Sequence, residues 1–238
     1  MSFHQSIVTM LELIAGIYGI VFITTFIHEE GHYFSAILLR QCVTSFRIGS
    51  SRTRFRMVFD IAGVKLSISP FFSFKDSSFG SVQISDTSMP VRSFIIFVAG
   101  GVIGNLLAFI CGLIYLENQL HGSIPINNHH VIYLLLLFFL FSNLLKLLLN
   151  TIPESSNDGF YIFNLLQYFF SKETIICTVH SQIISVKQDG KEEPLSTNET
   201  RSIRNVRLLV SIILILILLF LLLQCFKQFS QIIMVDTN

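Results

Sequence analysis

The sequence predicts an α-helical multi-pass membrane protein of about four spans, with a small membrane-associated β-hairpin region. Three observations lead there. Of the 238 residues 52% are hydrophobic and only 13% charged, and the mean hydropathy is +0.66, too apolar for an ordinary soluble domain of this length. Four stretches reach the roughly 20 residues that a bilayer core requires: Ile7–Ile27 (running on apolar to Leu39), Phe94–Leu116, Val131–Leu149 and Leu208–Phe226. Lys and Arg are segregated, with eight in 40–92 and six in 151–207 but none before residue 40 or in the turn 117–130. The positive-inside rule then places the N-terminus outside, 40–93 and 150–207 in the cytoplasm, and the C-terminus outside.

Composition also excludes some classes. A net charge of +1 gives no reason to expect nucleic acid as a partner. The cysteines, Cys42, Cys111, Cys177 and Cys225, form no CxxC pair, which indicates neither a disulfide framework nor a thiolate metal site. With 24 Phe and no Trp, any interfacial aromatic belt relies on Tyr and Phe. The leader "MSFHQS" has no Lys or Arg and no small-residue cleavage site, so the first span reads as retained.

The first span ends in "FIHEEGHYF", residues 26–34. After it, "SFRIGSSRTRFRMVFDIAGVKLSISPFFSF" alternates Arg with apolar and β-branched residues and is broken by Gly49 and Gly63, as one or two hairpins would be. Across 43–75 this is either a small sheet at the membrane surface or a basic loop whose arginines meet anionic headgroups. In the second span Gly100, Gly101 and Gly104 permit close helix packing. The outside turn carries His121, His129 and His130 without a ligand spacing, and reads as solvated. Lys146 in the third span reads as snorkelling to the cytoplasmic interface. The stretch 171–206 reads as a polar connector whose "KQDGKEEPLSTNET" is a flexible linker.

Chemistry concentrates in "HEEGH". His28 and His32 are four apart, so on a helix both imidazoles project from one face and two neutral nitrogens can bind one zinc ion. Glu29 can then take a proton from a water as general base. The bland alternative is a helix end whose polar residues meet the cytoplasm. Ionisable groups near a span interior cost about 2.5 to 3.5 kcal/mol each and mark functional sites. A catalytic zinc site needs a third protein ligand. Asp158 in "NTIPESSNDGF" is the candidate, on the same side of the membrane by topology, where Pro153 and Gly159 break the helix. The alternative for Asp158 is an ordinary Asp-Gly turn.

Together these motifs resemble the site-2 protease family of intramembrane zinc metalloproteases. "HEEGH" fits the family's HExGH pattern, "GVIGN" (101–105) is similar to its GPxxN-type motif, and "NTIPESSNDG" keeps the Asn, Pro and Asp-Gly of NxxPxxxLDG. The basic β-like segment resembles the membrane-associated hairpin of these proteins. The resemblance covers roughly residues 10–165 and departs at Val102, Glu154, Ser155, Asn157 and Phe160. No PDZ or CBS domain is visible. The resemblance implies a three-helix catalytic core in 1–165, a connector in 166–206, and a C-terminal helix with a short tail in 207–238. It implies Zn2+ held by His28, His32 and Asp158, with Glu29 activating water.

Asn105 and Asn150 would be polar groups of the cleft, hydrogen-bonding a scissile carbonyl or an unwound substrate backbone. Their alternative is an interhelical hydrogen bond, worth about 0.6 kcal/mol. The expected activity is an endopeptidase cutting a single-span protein or membrane-inserted peptide near the cytoplasmic face of a prokaryotic cell membrane. A substrate strand would add to the edge of the hairpin near Phe55 or Val58. Two alternatives stay open: an HExxH membrane peptidase acting on soluble or lipidated substrates, and a non-catalytic metal-binding membrane protein.

Overall fold

The computed structural model describes residues 3–50, 53–71, 79–85, 88–121, 130–151, 157–169, 176–180, 183–188 and 191–194, with 209, 212, 213 and 216. They divide into a unit of Met1–Leu195 and a unit of Ser196–Asn238. The first contains four helices, α1 (Phe3–Leu38), α2 (Val91–His121), α3 (His130–Thr151) and α4 (Asp158–Phe169). Three are long and apolar enough to cross a membrane, over Met10–Leu38, Val91–Asn118 and Ile132–Thr151. In the second unit Leu209, Ile212, Ile213 and Leu216 are helical and exposed; the rest of the expected span Leu208–Phe226 lies outside the described residues, as do Pro153, Glu154, Ser155 and His129.

α1 runs unbroken through "HEEGH". Two of its polar side chains are satisfied within the helix, the hydroxyls of Thr24 and Thr25 donating to the Ile20 and Val21 carbonyls. It stops in a left-handed cap at Arg40 (φ 58°), where the Gln41 amide bonds the Ala36 carbonyl and the Arg40 amide the Ile37 carbonyl. α2 packs antiparallel on α1 through glycines. A Cβ at Gly31 would strike the Gly100 carbonyl, one at Gly100 would strike Gly31 and Ser35, and one at Gly104 would meet the Ile27 carbonyl. Such contacts let backbones approach closely where apolar helices gain nothing by hiding from lipid. Gly31→Leu should therefore force α1 and α2 apart. Overpacking costs typically 1–3 kcal/mol even when only side chains must yield, so detergent-purified variant should unfold at clearly lower temperature than wild type.

Strands β1 (Val43–Ile48), β2 (Met57–Ile61), β3 (Val64–Ile68) and β4 (Gly80–Ile84) form a sheet ordered β2-β3-β1-β4. One of the expected hairpins is present. β2 and β3 are joined by Ala62 and Gly63, both at positive φ (53° and 82°), the two-residue turn that matches strand twist. β1, however, pairs parallel with β3, Phe46 opposite Leu66, and its other edge takes β4, which lies beyond 43–75. Such pairings join residues far apart in sequence and leave no short-range signal.

A second sheet corrects the linker reading of the connector. β5 (Ser88–Pro90), β6 (Ile176–His180), β7 (Ile183–Gln188) and β8 (Lys191–Pro194) pair antiparallel in that order. The register Gln188↔Lys191 leaves two residues, Asp189 and Gly190, between β7 and β8. Asp-Gly is a hairpin signal, and the charged composition around it masked that. The sheet is anchored by a core of Met89, Val91, Phe94, Ile95, Val98, Leu165 and Cys177, which ties it to α2 and α4. Burial pushes the Cys177 thiol up to about 12, so it serves as a small apolar side chain.

Candidate metal centre

The helical spacing of four brings His28 and His32 together on one face of α1, both buried, with their Nε2 atoms 3.3 Å apart. Asp158 arrives from the other side of the sequence. Asn157 caps α4, its side-chain oxygen accepting the Phe160 amide (2.9 Å) while its amide donates to the Leu149 carbonyl (2.8 Å). The bond to Leu149 ties the start of α4 to the end of α3. It sets Asp158 in the first turn, where the helix dipole favours an anion. Asp158 Oδ2 then lies 3.1 Å from His28 Nε2 and 3.4 Å from His32 Nε2.

These three distances test the fit to a metal ion. Four-coordinate zinc with bonds of about 2.0–2.1 Å holds its ligand atoms about 3.3 Å apart. Asp158 Oδ2 is buried and, close as it is to both rings, makes no hydrogen bond with either. The three ligand atoms lie within 4.8 Å of one another, so His28, His32 and Asp158 form a set that could hold a metal ion. His32 Nδ1 lies 3.0 Å from the Phe97 carbonyl, which can only accept, so Nδ1 carries the hydrogen and Nε2 keeps its lone pair for a ligand. His28 Nδ1 is buried without a partner among the described residues. Burial alone would raise the Asp158 carboxyl, but the two imidazoles outweigh it and hold the group well below the usual carboxylate range.

Glu29 is buried beside this group. Two glycines make room. A Cβ at Gly80, the first residue of β4, would run into the Glu29 carboxylate. A Cβ at Gly101 would come within 2.5 Å of His32 Nε2 and 2.6 Å of His28 Cε1. Gly101 had read as a packing glycine along with Gly100 and Gly104; it faces the imidazoles instead. Gly80 was missed altogether, although an isolated glycine at a strand edge is a signal of close approach. Gly80→Val should displace Glu29 while leaving His28, His32 and Asp158 in place. The expected result is metal content equal to wild type with loss of any Glu29-dependent turnover.

Asn105 is fully buried one helical turn beyond Gly101, and neither amide atom has a hydrogen-bond partner among the described residues. Leaving a buried amide unpaired costs about 1–3 kcal/mol, which argues for a partner from outside the described residues. Asn150 is half-buried in the last turn of α3 and its side chain makes no hydrogen bond among the described residues; its carbonyl faces Gly159. Asn157, a departure from the family pattern, is the cap that positions Asp158. Asn157→Ala should cost about 1 kcal/mol, visible as a lower unfolding temperature, and loosen the metal site.

No family model matches the chain, and a search of curated proteins finds no match either.

Proposed function

We propose that the protein is an intramembrane zinc endopeptidase of the site-2 protease type, cutting a peptide bond of a single-span or membrane-inserted substrate near the cytoplasmic face. The observation that carries this reading is the convergence of His28, His32 and Asp158 at zinc-ligand spacing with Glu29 buried alongside. His28, His32 and Asp158 would hold the ion. When bound, zinc supplies Lewis acidity to a carbonyl and to a water. Glu29 takes the proton of the attacking water and delivers it to the leaving amide nitrogen as the C–N bond breaks. Asn105 offers its amide to the substrate backbone.

Depth supports the membrane setting. Counted from Met10, His28 stands eighteen residues along α1, about 27 Å into a core of about 30 Å. With the charge asymmetry of the loops, that supports a site just within the cytoplasmic boundary, in a prokaryotic cell membrane on our reading. A helical substrate hides its peptide bonds in its own hydrogen bonds, so it must be extended before hydrolysis. β4 is a sheet edge that starts beside Glu29, and we assign substrate-strand addition to it rather than to β2 with Val58. A photocrosslinker at Gln83 should capture substrate and one at Val58 should not.

The deciding experiment is purification in detergent, measurement of bound zinc, and incubation with a panel of single-span peptides. One zinc per chain and chelator-sensitive cleavage within the span support the proposal. Zinc binding without cleavage of any peptide would favour the non-catalytic alternative.

A further inference from the structure

Lys146 is the only Lys, Arg, Asp or Glu in α3. The sequence reads it as snorkelling to the interface; the helix register also fixes which part of α1 it faces. α1 and α3 run in the same direction, each being antiparallel to α2, and Leu135 of α3 packs over Gly16 of α1. Eleven residues beyond that contact, at about 1.5 Å each, come Lys146 on one helix and Ile27 on the other, next to His28. Lys146 is therefore level with the metal centre, and α3 continues past it to Thr151. At that level its ammonium is within electrostatic reach of the Glu29 and Asp158 carboxylates.

Charge bookkeeping gives this cation a meaning. A zinc dication with the Asp158 and Glu29 carboxylates is neutral; Lys146 leaves the loaded site at a formal +1, the imidazoles being uncharged. An uncompensated positive charge in a poorly polarisable helix bundle draws an anion strongly. We propose that Lys146 makes the centre select substrates carrying an acidic side chain close to the scissile bond. The inference rests on the peptidase reading and names a substrate class for that same site.

The test uses single-span peptides identical except at one position flanking the scissile bond, which carries Glu, Gln or Lys, and scans that position along the cleavage region. Wild-type enzyme should favour Glu over Lys by about tenfold in kcat/KM at one or two positions, the size of a partly screened charge pair. Lys146→Arg should keep the preference, Lys146→Met should level it, and Lys146→Glu should turn it toward the Lys peptides. A structural role for Lys146 would lower all rates together without changing the ratio. The same peptides, labelled and titrated into the full-length Glu29→Gln protein, give the order of binding without cleavage. Equal ratios in the wild type, or a preference that survives Lys146→Met and Lys146→Glu, overturn the proposal. If the wild type cuts none of the peptides, the peptidase reading fails, and the binding series still decides the role of Lys146.

Discussion

Glu29→Gln is expected to bind zinc as wild type does and to lose turnover by about 10²–10⁴-fold, the usual contribution of a general base. The substitution preserves shape and burial but removes the group able to take a proton. Retention of the ion follows from geometry. The three clustered ligand atoms belong to His28, His32 and Asp158, and Glu29 is not among them. Metal analysis and peptide cleavage on the same preparation check both halves. Wild-type rates in the variant would remove Glu29 from the chemistry and the endopeptidase assignment with it.

Asp158→Ala should act at the preceding step, on the metal itself. Losing even a residue that orients a ligand costs 10–100-fold in metal affinity, and losing the ligand costs at least the upper end, about a hundredfold. Chelator competition measures this directly, and cleavage should fall in parallel unless saturating zinc is supplied. The protein should remain folded, because the cap that begins α4 is the side chain of Asn157 and not that of Asp158. Full activity without Asp158 would instead favour an HExxH peptidase of another kind. Metal affinity should also fall toward acid pH, since protons compete for the imidazole and carboxylate lone pairs.

Different parts of this site were legible to different degrees. The pairing of His28 with His32 is a local property: four residues along a helix return to the same face, and nothing distant is needed to know it. Asp158 required topology as well, because 126 residues separate it from His32. In the sequence reading, only the count of expected spans and the side of the positive loops assigned the two motifs to one face. Asn157 is a cap by residue type, and its position before Asp-Gly gave a signal that the family comparison obscured. For Lys146 the sequence indicated a place near one end of its span, but hydropathy along a chain does not say beside which neighbour one charge stands.

The sheets divide in the same way. The β2–β3 turn could be anticipated from Gly63 between two apolar runs, and the β7–β8 hairpin from Asp-Gly had the polar stretch around it not been read as a linker. The parallel pairing of β1 with β3, and the edge position of β4 against Glu29, could not. Strand neighbours are chosen by packing among all the elements, and short strands carry little information about partners.

The linear order of residues determined three long apolar helices, the helical pairing of two imidazoles and the presence of a carboxylate near the end of α3, since each depends on period, length or local turn chemistry. The tertiary structure alone decided that Asp158 Oδ2 meets both imidazoles, that Gly80 and Gly101 leave room beside Glu29 and the rings, and that Lys146 stands level with the centre. Those facts rest on how far one backbone can approach another, and that distance is set by side chains on elements remote in sequence.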